Sequence, residues 1–175
     1  MKWYVLQVRT GGEHDVILSL GRHGLQAFSP VESRVIRSGG AWREEQYRLM
    51  PGYVFVRVDY TDRLYYILVS TPGVIRILTA GGAPSPLPDN EAAYILYLGQ
   101  NVLHPTFVRR RPDGRAEVVS GILADLDPES YHINWHRRRA IVTLTILGRL
   151  RTVELSIHPI GPATPAVQTL GIPAG

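Results

Sequence analysis

The stretch RLMPGYVFVRV, residues 48–58, constrains the fold more than any other. From Tyr53 to Val58 only Arg57 interrupts the apolar side chains, so a strand here is apolar on both faces. Alternation puts Tyr53 and Phe55 on one face and Val54 and Val56 on the other. The aliphatic face suits a core of the chain's own. The aromatic face, entered through Met50 and Pro51, suits either a second core layer or a surface that another protein touches.

The surrounding pattern changes period several times. KWYVLQVRT is a strand bounded by Gly11 and Gly12. Val16, Ile17 and Leu20 then recur at helical spacing, with Glu13 and Asp15 at the start and Gly24 at the end. AFSPVESRVIRS and EEQYRL read as two arms of a hairpin around GGAW. After GYVFVRVDY, Thr61 or Asp62 caps a helix carrying Leu64, Ile67 and Leu68 inward. GVIRIL is a further strand, GGAPSPLP a turn-rich connection, and DNEAAYILYLG a third helix with an Asp cap. The order β-α-β-β-β-α-β-α describes an α+β sheet-and-helix domain over residues 1–100.

Pro105, Pro112 and the pair Asp113-Gly114 predict a linker and the entry to a second module over 101–115. AEVV, YHINW, AIVTLTIL and RTVELSI then follow as short alternating strands with no helix between them, which predicts a small β-barrel over 116–160. The tail, 161–175, holds Pro and Gly without period and is expected to be poorly ordered.

Composition narrows the function. The chain has no cysteine, which excludes disulfides and thiol catalysis and suits a reducing cytoplasm. No apolar run is long enough to cross a membrane as a helix. No nucleophile, phosphate-loop or zinc-protease motif occurs, and His132 and His136 have no evident third ligand, so neither an enzyme nor a metal site nor a cofactor is expected. Of 19 basic residues all but Lys2 are Arg. Residues 1–107 carry 10 basic and 9 acidic side chains, and residues 108–160 carry 9 and 6. The shorter second half is the more basic, which favours a nucleic-acid partner there.

Three stretches in order, WYVLQVRTGGE, LMPGYVFVRV and VVSGIL…HRRRAIVTLTILGRLRTVEL, resemble the NusG family of transcription elongation factors. Members have an N-terminal (NGN) domain followed by an SH3-like KOW β-barrel. Within the family the wording of the first strand and the basic hairpin resemble most closely the specialised paralogue LoaP, a processive antiterminator of long biosynthetic operons. The resemblance implies a monomer whose first domain docks on the clamp helices of the largest RNA polymerase subunit. The matching residues here are Met50, Pro51 and Tyr53, with Phe55 and Gln7 beside them; Met50 stands where the family usually has Phe. It also implies contact with non-template DNA through Arg9, with Arg22 and His23 as neighbours. The KOW segment departs from the family pattern at Ile122, Asp125 and Pro128, which puts coupling to Rho or to the ribosome in doubt. In its place stands YHINWHRRRA. His132, Trp135, His136, Arg137, Arg138 and Arg139 are the residues expected to bind nascent RNA, a hairpin included, through phosphate contacts and stacking, with a protein partner of the KOW module as the alternative. A ribosome- or RNA-associated KOW protein, whose first domain is only a scaffold, is the alternative from another class.

Overall fold

The computed structural model describes residues 1–161; the tail beyond lies outside the described residues. The first sheet has four strands, β1 (Lys2–Val8), β2 (Gln26–Phe28), β5 (Tyr53–Val58) and β6 (Val74–Ile77), in the order β2-β5-β1-β6. β1 and β5 are central and antiparallel, with Val5 opposite Phe55 and Leu6 opposite Val54. Because side chains alternate, one face of this pair presents Tyr4, Leu6, Val54, Val56 and Val58. Helices α1 (Glu13–Arg22) and α2 (Asp62–Ser70) cover it with Val16, Leu20 and Leu68, closing one hydrophobic core. Val16 and Leu20 are four apart and fall on one side of α1. Thr61, not Asp62, caps α2: its hydroxyl accepts the Leu64 N–H at 3.2 Å.

Two expected details differ. AFSPVESRVIRS is not one arm, because Pro30 cannot donate to a ladder. β2 ends at Phe28 and joins β5, while β3 (Val31–Ser38) starts a separate ribbon with β4 (Ala41–Arg48). Helix α3 (Asp89–Gly99) begins after Pro88 with no side-chain cap; Asp89 instead meets Lys2 at 2.9 Å. A small hairpin, β7 (Thr79–Ala80) and β8 (Ala83–Pro84), occupies the turn-rich connection.

Gly99 ends α3 against the ring of Phe28, and a Cβ there would lie 2.0 Å from the Phe28 Cε2. The ring cannot retreat easily, being stacked on Phe55 at 5.5 Å and edge-on to Trp3 at 5.3 Å. Gly99→Ala should therefore destabilise the chain by about 1–3 kcal/mol through overpacking, despite alanine's better helix propensity. A urea unfolding midpoint equal to or above wild type would contradict this packing.

The second half is an SH3-like barrel of five strands: β9 (Thr106–Arg110), β10 (Ala116–Ser120), β11 (Tyr131–Asn134), β12 (Arg139–Ile146) and β13 (Arg149–Ile160), in the order β10-β9-β13-β12-β11. Short 3-10 turns, Ile122–Asp125 and Pro128–Ser130, lie between β10 and β11. β9 falls inside the segment expected to be linker and entry to the second module, where the sequence pattern predicts only a turn. It pairs in parallel with the far end of β13 and antiparallel with β10. The connector before it is also paired: Leu103 takes the Ser33 N–H and donates to Val31, at 2.7 and 3.0 Å.

Candidate polymerase and nucleic-acid interfaces

The turn that launches β5 is built from its sequence. Met50 C=O accepts the Tyr53 N–H at 3.1 Å, Pro51 holds the first corner, and Gly52 takes the second at φ 84°. These are the demands of a type II turn, in which a side chain at the second corner would be strained. Glu13, buried at the start of α1, locks it: one carboxylate oxygen accepts the Gly52 N–H at 2.6 Å and the other the Gly11 N–H at 2.9 Å. The sequence shows Glu13 only as a helix-start charge. Its carboxylate joins the two glycine turns at one end of the sheet's central pair, the one leaving β1 and the one entering β5.

The five residues expected to dock a partner are assembled here, but most of them are covered. Phe55 is 0% exposed and Met50 5%; Tyr53 is half-buried; Pro51 is exposed. Gln7, opposite Tyr53 on β1, accepts a hydrogen bond from Arg76 Nε at 2.8 Å. What covers the aromatic face is α3 together with the barrel. Val5, Met50, Phe55, Ala92, Ile95 and Leu98 form one continuous core with Leu123, Leu126, Leu144 and Ile146. The Arg151 guanidinium stands 5.7 Å from the Tyr53 ring centre. A cleft of about 530 Å³, lined by Met50, Pro51, Tyr53, Leu150 and Arg151, remains along this seam.

Polar clasps ring that core. Glu32 of β3, 1% exposed, accepts both the backbone N–H and the hydroxyl of Ser156 on β13, at 2.8 and 3.0 Å, and is also paired with Arg34. Glu91 of α3 accepts the N–H groups of Leu147 and Gly148, at 2.6 and 3.2 Å, in the β12–β13 turn. The Tyr97 hydroxyl donates to Asp125, and this bond, with burial second, raises the phenol pKa above its ordinary value. Two carboxylates of the first half thus bind backbone donors of the second, a charge-assisted arrangement stronger than a neutral hydrogen bond.

The basic turn is less uniform than its sequence. His136, Arg137 and Arg138 are exposed, as is His132, and Trp135 is half-buried. Arg137 pairs with Glu154 at 3.3 Å. Arg139 turns inward and donates to Ser156 Oγ at 2.9 Å, beside the Glu32 clasp. Burial, with the neighbouring Arg34 charge, lowers its pKa from the usual guanidinium value. Of the three arginines only Arg137 has a carboxylate in salt-bridge reach among the described residues; Arg139 is held by Ser156 instead, and Arg138 stays exposed. Arg9, Arg22 and His23 are all exposed, but the fold does not gather them. Arg9 sits beside the start of α1, its N–H on the Gly73 carbonyl at 2.9 Å. Arg22 and His23 lie at the exit of that 10-residue helix, about 15 Å further on.

Comparison with known proteins agrees with this architecture. A family described as transcription termination factor nusG matches residues 1–96. The transcription termination/antitermination protein NusG of Thermus thermophilus is 30% identical over 179 residues, covering 91% of this chain and 97% of its own. The chain belongs to the NusG family. The NusG of Haemophilus influenzae is 29% identical over 173 residues, covering 91% of this chain and 92% of that one. Among solved structures, a Thermotoga maritima NusG shares the fold, with a TM-score of 0.50 and 24% identity over 89% of this chain and 93% of that one. The NGN sheet and the KOW barrel of this NusG-family chain are the two halves described above, and no described helix is long and apolar enough to cross a membrane.

Proposed function

We propose that this NusG-family protein is an elongation factor that docks on RNA polymerase through Met50, Pro51, Tyr53 and Phe55, with Gln7 at the edge, and that its KOW barrel carries nascent RNA on the β11–β12 turn. The observation that carries the reading is the aromatic face of β1 and β5. It is apolar, it is held in shape by the Glu13-locked turn, and a separate barrel seals it through carboxylate clasps. Docking on that face requires the barrel to leave it, so the arrangement with the barrel in place is a closed form. Arg9 is the candidate for non-template DNA, since Arg22 and His23 stand apart from it.

The relatives are named as transcription termination/antitermination proteins, and the second reading is a housekeeping NusG coupled to Rho or to the ribosome. The departures at Ile122, Asp125 and Pro128 support the LoaP-like, operon-selective reading instead. These residues build the two 3-10 turns, and Asp125 is used within the chain by Tyr97. Co-purification from native cells separates the cases. RNA polymerase together with a narrow set of transcripts is the expected catch. Rho or ribosomes with polymerase would support the housekeeping role, and ribosomal particles without polymerase would overturn the docking proposal.

A further inference from the structure

A second arginine group joins the basic turn in space. Arg109, Arg110, Arg111 and Arg115 lie on β9 and the turn that follows it. The barrel brings this segment against the β11–β12 turn, with the Arg110 guanidinium 5.8 Å from the centre of the Trp135 ring. Carboxylates account for part of the charge: Arg109 pairs with Glu117 at 3.2 Å, Arg115 with Asp113 at 4.0 Å and Arg137 with Glu154 at 3.3 Å. Arg110, Arg111 and Arg138 are exposed and have no such partner among the described residues. One uncompensated guanidinium, that of Arg110, therefore stands at the indole; Arg111 follows it in the chain, and Arg138 lies on the turn that carries Trp135.

The β11–β12 turn is held rigid. Asn134 Oδ1 accepts the Arg137 N–H at 3.0 Å, and the Arg138 N–H reaches the Trp135 carbonyl at 3.4 Å. Arg138 itself sits at φ 52°, a left-handed conformation that glycine adopts without strain and arginine does not. Keeping an arginine there places a guanidinium at the tip at a conformational cost. A pre-ordered turn also loses little entropy on binding.

We propose that the two turns form a single site for unpaired RNA, in which Trp135 stacks on one base while Arg110, Arg111 and Arg138 hold the flanking phosphates. This deepens the RNA reading given above and rests on it. Stacking on Trp135 moves the Arg110 guanidinium off the ring and onto the adjoining phosphate, exchanging a cation–π contact for a charged one. A duplex has no free base face to offer, because A-form RNA keeps its bases stacked and its major groove closed to side chains. The site therefore selects loops and single strands.

Binding by the full chain is measured with a uridine 20-mer, a fully paired RNA of the same length and a polyglutamate peptide, across a salt series. The single strand should bind more tightly than the duplex by at least about ten-fold. The double variant Arg110→Gln, Arg111→Gln should weaken single-strand binding and flatten the plot of log affinity against log salt by about 1.4, at about 0.7 for each phosphate released. Trp135→Leu should weaken it roughly 5- to 150-fold with the slope kept. The exposed arginine variants cannot unfold the barrel through its core, so they decide the matter even if Trp135→Leu does. If Arg138→Gln weakens binding and the Arg110, Arg111 double variant does not, the two-turn site is wrong and the RNA reading survives. Equal affinity for the duplex removes the stacking. Absence of RNA binding at low salt, or preference for polyglutamate, removes the RNA reading as well.

Discussion

Glu32→Ala is expected to increase polymerase binding by up to about 100-fold. The Glu32 carboxylate is buried, and its two bonds to Ser156 exist only while the barrel covers the first sheet; its pairing with Arg34 lies within β3. Removing it leaves the Ser156 donors and the Arg34 guanidinium without their acceptor in the closed form, whereas water satisfies them in the open one. Breaking one partner of a buried pair costs about 3–5 kcal/mol, and most of that loss falls on the closed form. The dissociation constant for a partner of the open form is divided by the open fraction, and each 1.4 kcal/mol is ten-fold. The gain therefore runs to about two orders of magnitude before the open fraction saturates. Glu91→Ala should act in the same direction through Leu147 and Gly148, at the other end of the seam. A fluorescence pair placed on α2 and on the β9–β10 turn reports opening independently. Opening without any gain in polymerase affinity would show that polymerase does not use the covered face.

The first module is legible in its sequence because its signals are local. Period two in YVFV assigns Tyr53 and Phe55 to one face and Val54 and Val56 to the other, and the fold keeps that division. Helical spacing finds α1, α2 and α3. Alternation states which side chains share a face, but not what lies opposite them. The barrel that closes this face beside Met50 and Tyr53 is far away in the chain, and no pattern near residue 53 announces it. β9 is hidden for a related reason. Its five residues lie between Pro105 and Pro112, and its parallel partner is the end of β13. Breakers on both sides outweigh so short a strand, and a non-local pairing leaves no periodic trace. The arginine run at the basic turn is visible as charge, yet its division into an outward Arg138, a paired Arg137 and an inward Arg139 depends on β12 register and on Glu32. Glu13, Glu32 and Glu91 escape notice as positioning groups because a carboxylate binding backbone N–H groups across the fold looks, in sequence, like any surface acid.

Met50→Asp is expected to open the same seam and yet abolish polymerase binding, which makes it the counterpart of Glu32→Ala. Met50 is 5% exposed and belongs to the core shared by Phe55 and the barrel. A carboxylate there has no partner in the closed form, and burying an unpaired charge costs several kcal/mol unless the site wets or the group neutralises. Opening relieves that cost by letting water reach the introduced carboxylate. The other core of the sheet, with Leu6, Val54, Val56, Leu20 and Leu68, lies behind β1 and β5 and is untouched, so the first module keeps its fold. Docking on an apolar partner surface then meets the same uncompensated charge, and a central substitution of this kind removes a few kcal/mol of binding, about 100-fold or more. Tyr53→Ala should lie between the two: it loses the ring under Arg151 and the docking contact together, without adding a charge. Circular dichroism checks the fold, the fluorescence pair checks opening, and polymerase binding is the deciding measurement. An open, folded Met50→Asp chain that binds polymerase as tightly as open Glu32→Ala would place the docking surface elsewhere on the first module.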